Sequence, residues 1–343
     1  MKRTCCIIIL FFLVKGTLAQ TLGGNAAFHF LVQSNNAQLS ALGGVNVSNI
    51  NNDVGMCFQN PALLRDEMHQ QLSASFNSFV GGIKNYSLTS AFHLEKQHTN
   101  LSFGVNYFNY GTVTQTDASG NVLGDFRPAD YVVQASASRS YQQHWWYGMT
   151  VKFASSNYGQ YRSSGFAADV GVAYFDSSRH LQVSMVVKNI GTQLKSYDGS
   201  SSKEELPFDL EAGITKKLAR APIQFSLTAH HLQAFNIHYN DTLFRASEGD
   251  DVYGGNNTLL KIASHLVISA QIFLNNKLEL TTGYNFLRRN DLNAYNQANG
   301  LNGFTLGLGV LLKKLHIRYA TGFYQQTMFH QFSLNLNWKG TEL

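Results

Sequence analysis

From about Gln71 onward the chain is written in runs of roughly ten residues that alternate apolar and polar side chains. LQVSMVVKN sets Leu181, Val183, Met185 and Val187 against Gln182, Ser184, Val186 and Lys188. PIQFSLTAH sets Ile223, Phe225, Leu227 and Ala229 against Gln224, Ser226, Thr228 and His230. Period-two alternation is the pattern of a β-strand with one face toward grease and the other toward water. Repeated along a whole chain, it has two solutions. The apolar faces meet in the core of a soluble β-protein, or they turn outward into lipid around a wettable interior.

Strand length and spacing choose between them. The pattern places strands near 71–80, 85–94, 100–110, 130–140, 145–155, 165–175, 180–190, 207–216, 222–232, 264–274, 278–287, 303–312, 315–323 and 330–338. That is about fourteen, with about twelve or sixteen as the alternatives, since strand boundaries read this way shift by a few residues. Each is near the roughly 9–11 residues that cross a bilayer as a tilted barrel strand. Every second connection is short, at 95–99, 141–144, 176–179, 217–221, 275–277 and 313–314, while 111–129, 191–206, 233–263 and 288–302 are longer. Tight turns on one rim and loops on the other mark an up-and-down barrel. The expected fold is all-β, a transmembrane antiparallel up-and-down β-barrel over residues 71–343. Both termini and the tight turns are expected in the periplasm, and the long loops outside the cell.

Composition agrees with that reading. Only 14% of residues are charged, against the roughly 25% usual for soluble domains. Arg179, Lys216, Lys217, Arg220, Lys277, Lys313 and Lys314 mark the tight turns, whereas Glu204, Glu205, Glu248, Asp250 and Asp251 cluster in the long loops. Trp145, Trp146, Tyr147, Tyr174 and Trp338 fall at turn-side strand ends, where an interfacial aromatic girdle is expected.

The first residues read MKRTCCIIILFFLVKGTLAQ, a basic start, an apolar run from Cys5 to Val14 and a small-residue site at Thr17-Leu18-Ala19. This is the pattern of a secretory signal peptide over 1–19, and its apolar run is too short to span a bilayer. Cleavage after Ala19 would remove Lys2, Arg3 and Lys15, leaving 26 − 3 = 23 basic against 21 acidic residues, a net +2. Such a balance points to no nucleic-acid partner. Cys57 would be the one remaining cysteine, which excludes an intramolecular disulfide framework and a cysteine zinc cluster. Residues 20–70 do not alternate and are expected to plug or line the lumen. In NNTLLKIASHL, Leu259, Leu260, Ile262, Ala263 and Leu266 have the spacing of a short helix.

Catalytic motifs are absent: no H-E-x-x-H, G-x-S-x-G or G-x-x-x-x-G-K-[ST] occurs. The expectation is a non-enzyme with no cofactor and no metal. His230 and His231 are adjacent, so on a strand they would point to opposite faces and fail to share an ion. SEGDD at 247–251 lacks the ligand spacing of a calcium loop. One charge pattern does follow from the barrel. Lys152, Asp169, Lys188, Asp209 and Glu211 fall on the polar faces of four successive strands, and opposite charges on one face attract across the ladder. The expected arrangement pairs Lys152 with Asp169, Asp169 with Lys188, and Lys188 with Asp209 or Glu211. Such an ion ladder would stiffen the wall or close the lumen.

Two short motifs resemble a known group. ALGGVNVSNINNDVGMCFQNPALL holds Gly43-Gly44 and then Asn60-Pro61-Ala62, and GFAADVGVAY holds Ala168, Asp169, Val170 and Gly171. They resemble the N-terminal signature and the A-D-x-G strand of FadL-like outer-membrane barrels and their PorV relatives. The C-terminal run GFTLGLGVLLKKLHIRYATGFYQQTMFHQFSLNLNW resembles the PorQ-type barrels of the type IX secretion system of Bacteroidetes. That resemblance implies a non-catalytic component of the cell-surface attachment complex. Its implied partners are a PorZ-like surface protein, the sortase-like PorU, PorV, the lipid bilayer and the lipopolysaccharide to which cargo is joined. PorZ docking would then use the outward loop 233–263, with Phe235, Tyr239, Phe244, Asp250, Asp251 and Tyr253 as candidate contacts. The alternatives are a FadL-like transporter of hydrophobic compounds with the N-terminal segment as hatch, a porin-like barrel without a partner, and a soluble β-domain.

Overall fold

Fourteen antiparallel strands close into a barrel in a computed structural model that describes residues 26–237, 258–275, 277–292 and 299–338. The expected signal peptide, 1–19, lies outside the described residues. In chain order the strands are β1 (Gln71–Ser78), β2 (Lys84–Leu94), β3 (Thr99–Asn109), β4 (Val113–Thr116), β5 (Val122–Phe126), β6 (Ala129–Tyr141), β7 (Trp145–Tyr158) and β8 (Tyr161–Asp176). There follow β9 (Leu181–Lys195), β10 (Asp209–Lys217), β11 (Ile223–Ala229), β12 (Leu266–Leu274), β13 (Leu278–Asn285), β14 (Phe304–Leu311), β15 (Leu315–Tyr324) and β16 (Thr327–Asn337). Each barrel strand pairs with its neighbour, and the seam closes where Gln71 of β1 faces Asn337 of β16. The hairpin β4–β5 stands outside the barrel, in a connection expected to be a plain loop.

The alternation resolves with the oily face outward. In β11, Phe225 is 50% and Leu227 40% exposed, while Gln224, Ser226 and Thr228 are buried. Phe103, Val105, Leu306, Phe332 and Leu334 continue an exposed apolar belt around the wall. A water-soluble protein does not carry a patch that encircles it. In lipid the same belt is favourable, and closure leaves no strand edge unpaired. The soluble reading therefore fails, because the apolar faces do not meet one another.

The two rims differ. One carries the connections 95–98, 142–144, 177–180, 218–222, 275–277 and 312–314, none longer than five residues. Several of these turns place a non-glycine residue in the left-handed region, including His98, Gln142, His180 and Asn275. The other rim carries the long connections 110–128, 196–208, 230–265 and 286–303, but also the tight links 79–83, 159–160 and 325–326. β7 and β8 run past their expected ends near 155 and 165 and meet in a two-residue turn at 159–160. Trp145, Tyr147 and Trp338 are exposed at the turn rim, and Tyr174 packs on Trp145 at 5.0 Å between ring centres. Trp146 departs from the expected girdle. It lies between two outward neighbours and so faces inward, with the Arg65 guanidinium 3.5 Å above its ring.

Residues 26–69 occupy the lumen. Ala26 forms a bridge with Glu205, and the Ala27 amide donates to the Glu205 carbonyl at 2.8 Å, both at the loop rim. The segment descends through helix α1 (Ala37–Ala41) and the 3-10 turns Val54–Phe58 and Pro61–Leu63. It leaves at the turn rim, where the Gln70 amide donates to the Ala91 carbonyl. The two ends of the barrel sheet thus share the turn rim, as expected. The first described residue, Ala26, lies at the opposite rim, and the chain termini themselves lie outside the described residues. Side chains alone fill a barrel of about eight strands, whereas fourteen enclose more space. Phe28, Phe30, Leu31 and Phe58 fill part of it against Phe108, Val132, Ala154 and Ala167 of the wall. Leu39, Leu42, Met56 and Leu63 form a second cluster within the segment itself. The helix Thr258–Ser264 in the long connection matches the spacing read from the sequence.

Cys57 is fully buried in this plug, out of reach of reagents in solution. A maleimide should leave the folded barrel unlabelled and react fully after denaturation. Rapid labelling of the native protein, measured by mass shift, would show that the plug does not hold the seat described.

Candidate functional site

The site is the seat of the plug. Gly43 and Gly44 turn the chain after α1 with φ of +97° and +88°, a region that disfavours side chains. A Cβ at Gly43 would also stand 2.4 Å from Val267 Cγ1 of β12. The Asn60 side chain accepts from the Ala62 amide at 2.9 Å and donates to the Val47 carbonyl at 3.0 Å, while Pro61 opens the 3-10 turn. Opposite Asn60 stands Gly171 of β8, where a Cβ would lie 2.0 Å from Asn60 Oδ1. The two stretches singled out in the sequence therefore touch. The Asn-Pro-Ala turn of the plug rests on the wall where the A-D-x-G strand has no side chain.

The predicted charges lie one step from this contact. Lys152 Nζ is 2.6 Å from Asp169 Oδ2, and both side chains are wholly buried. Lys188 Nζ is 3.2 Å from Glu211 Oε1 and also donates to the Gln59 side chain of the plug. Between the two pairs stands Asn189, in the left-handed region at φ +57° beside a break in the β8–β9 register. Its amide donates to Asp169 Oδ1 at 2.8 Å, and its side-chain oxygen accepts from Lys152 Nζ at 3.0 Å. Asn189 thus braces the Lys152–Asp169 pair, while Lys188 turns to Glu211 and Gln59 instead of forming the expected rung with Asp169. Asp209 faces Lys188 across the ladder but turns its carboxylate to His231, whose amide donates to Oδ1 at 2.6 Å. The Phe58 ring covers Lys152 at 5.2 Å, so the network lies under the plug.

Two further anchors were not visible in the sequence. Arg318 of β15 reaches Asp53 of the plug at 2.8 Å and Glu279 of β13 at 3.4 Å. Asp53 in turn accepts from the Gly55 amide at 2.8 Å and from Asn335 at 3.0 Å. Asp53 and Arg318 lie far apart in the chain, and only an inward position for both marks them as partners. The other anchor is Arg65, buried against Trp146. Its neighbour Leu64 has its carbonyl held by Ser138 at 2.6 Å.

Where the plug meets the loop rim, the surface becomes apolar. A pocket of about 350 Å3 lies among Phe30, Phe79, Val80, Ile83, Phe108 and Tyr110, with His29 and Gln33 as its polar edge. Across the rim, His230 and His231 do not diverge as expected. β11 ends at Ala229, and His231 takes φ +54°, which brings the two rings to 4.8 Å. Of the candidate partner contacts, Phe235 is exposed at the rim. Tyr239, Phe244, Asp250, Asp251 and Tyr253 lie outside the described residues.

Removing one member of a buried ion pair strands the other. Lys152→Ala should therefore destabilise the barrel by about 3–5 kcal/mol. The double variant Lys152→Met/Asp169→Asn should regain most of that loss. Denaturant midpoints of the folded barrel read both, and a neutral Lys152→Ala would remove the pair from the structural account.

No protein-family model matches the sequence, and no curated protein matches it. Solved structures do match. A deltaS2 mutant of the TodX monoaromatic hydrocarbon channel aligns with 89% of this chain and 97% of its own, at 12% identity and a TM-score of 0.51. The CymD monoaromatic hydrocarbon channel aligns with 90% of this chain and 97% of its own, again at 12% identity and a TM-score of 0.51. A FadL homologue from Pseudomonas aeruginosa covers 89% of this chain and 99% of its own, at 9% identity and a TM-score of 0.51. At such identities the likeness is one of fold: the chain is a closed fourteen-stranded antiparallel β-barrel similar in fold to these channels and to the FadL homologue.

Proposed function

We propose that the chain is an outer-membrane barrel that passes small hydrophobic molecules, with residues 26–69 as its internal gate. The observation that carries this reading is the apolar pocket formed where gate and wall meet at the loop rim. Its size and lining, mostly aromatic and aliphatic with two polar groups at the edge, are those of a small-ligand site. An outer-membrane location is supported by the closed antiparallel sheet and its lipid-facing belt. The neighbours of like fold include two channels for monoaromatic hydrocarbons, which supports the substrate class by analogy. The loop rim faces outward in this reading, so a ligand enters beside Phe30 and meets the plug before the lumen.

A second reading is favoured by the buried ion network beneath the plug. A lumen braced by Lys152–Asp169 and Lys188–Glu211 suits a barrel that holds a partner rather than one that conducts. The motif resemblance names that partner set as a PorZ-like surface protein with PorU and PorV, in an attachment complex of the type IX secretion system.

Toluene and a long-chain fatty acid, titrated separately against the protein in nanodiscs, test the first reading. Binding of either is expected, with Phe108→Ala weakening it roughly tenfold, since full burial of an aromatic is worth about 1.5–3 kcal/mol and the variant forfeits part of that. Failure of the folded wild type to bind both probes would sink it. Affinity capture from native outer membranes tests the second. Co-purification of a PorZ-like protein with the sortase, lost when loop 233–263 is replaced, is expected there, and capture of the barrel alone rejects it.

A further inference from the structure

We propose that Asp209, His230 and His231 form a binding site for a divalent transition-metal ion at the loop rim. One ligand atom from each lies within 4.8 Å of the others. Donors around a bound zinc at about 2.0–2.2 Å stand within about 4.4 Å of one another, so a small ring rotation completes the set. Two imidazoles and a carboxylate suit zinc, nickel, copper or iron(II). Calcium and magnesium require more oxygen ligands than the three residues offer.

The site is built rather than incidental. His230 is 2% exposed, and its Nε2 finds no hydrogen-bond partner among the described residues. A buried imidazole nitrogen without a partner is costly unless a ligand takes it. Asp209 is held by the His231 amide, and His231 Nδ1 lies 3.2 Å from the same carboxylate oxygen. That contact holds the second ring beside the carboxylate, so the two candidate ligands are already adjacent. The His230 carbonyl is bound by His265 Nδ1 at 2.8 Å, and the Leu232 amide donates to the Leu210 carbonyl at 3.1 Å. The backbone that carries both histidines is thus tied to β10 and to the start of β12 before any ion arrives. A metal here would clamp the first residues of the 230–265 connection to the barrel wall. His29 of the plug and Asp291 lie close enough to influence His231 electrostatically, so the ion would stand at the mouth of the plugged lumen.

The bland competitor is an Asp209–His231 ion pair that needs no metal. Metal-stripped, full-length protein in detergent, titrated with Co2+ and then Zn2+, separates the two. One equivalent of Co2+ should bind with visible d–d bands, and Zn2+ should displace it. Asp209→Asn and His230→Ala should each weaken Zn2+ binding by more than the roughly 10–100-fold that loss of an outer-shell partner costs. His330→Gln, at an exposed position on β16, should leave binding unchanged. Heat-modifiable migration on gels reports folding of each variant. If the site variants do not fold, zinc-edge absorption of the wild type decides, with two imidazoles and one carboxylate oxygen expected. No stoichiometric binding by the wild type, or equal binding by the folded Asp209→Asn/His230→Ala variant, overturns the proposal. The titration requires no transport or partner, so its failure is independent of either functional reading.

Discussion

A barrel in lipid inverts the usual economy of a fold, and every other feature of this molecule depends on that inversion. The apolar residues of each strand are satisfied by hydrocarbon, so they do not drive the strands toward a common centre. What remains inside is a wall of serines, threonines, asparagines, glutamines and a few charges, enclosing more volume than those side chains fill. Each of these groups costs free energy if it is neither hydrated nor paired. The N-terminal segment resolves much of this by bringing its own polar surface to the wall and its own small apolar clusters to the middle.

The contacts between plug and wall are of two kinds, and they do different work. Close approach to the wall's glycines, by the Asn60 side chain at Gly171 and the Pro61 backbone at Gly148, fixes position because no side chain fits between. Charged contacts, as at Asp53–Arg318 and Gln59–Lys188, add direction but carry a desolvation cost that only complete pairing offsets. Asn189 shows how that pairing is made complete. A break in strand register turns its amide and side chain toward Asp169 and Lys152, so a neutral residue supplies further hydrogen bonds to a pair already in direct contact.

Much of the barrel was legible in the sequence, because period-two alternation is a local property repeated in every strand. The strands near 130–140, 207–216 and 278–287 needed no knowledge of their partners. The short hairpin β4–β5 escaped because it is exposed on both faces and so carries no alternation. Trp146 was misplaced by grouping it with Trp145 and Tyr147, although parity alone sets it apart. The histidine pair was misread because the parity rule was applied past the end of the strand, where the backbone changes hand at His231. Of the candidate site, Lys152, Asp169, Lys188 and Glu211 could be placed from strand parity, whereas Asp53, Arg65 and Asn189 could not. Their roles depend on a chain path through the lumen that no local pattern encodes.

The route of the plug has a consequence for how the molecule is made. Residues 26–69 enter at one rim and leave at the other, and they fit the wall so closely that Gly171 admits not even a methyl group beside Asn60. A segment fitted in this way would be seated more easily in a sheet still open than threaded through a finished cylinder. The seam between β1 and β16, which joins the first and last strands of the sheet, is the natural last closure, made around a segment already lying in the open trough. Assembly in that order would be wrapping rather than plugging, with the contents serving as the form on which the wall is shaped.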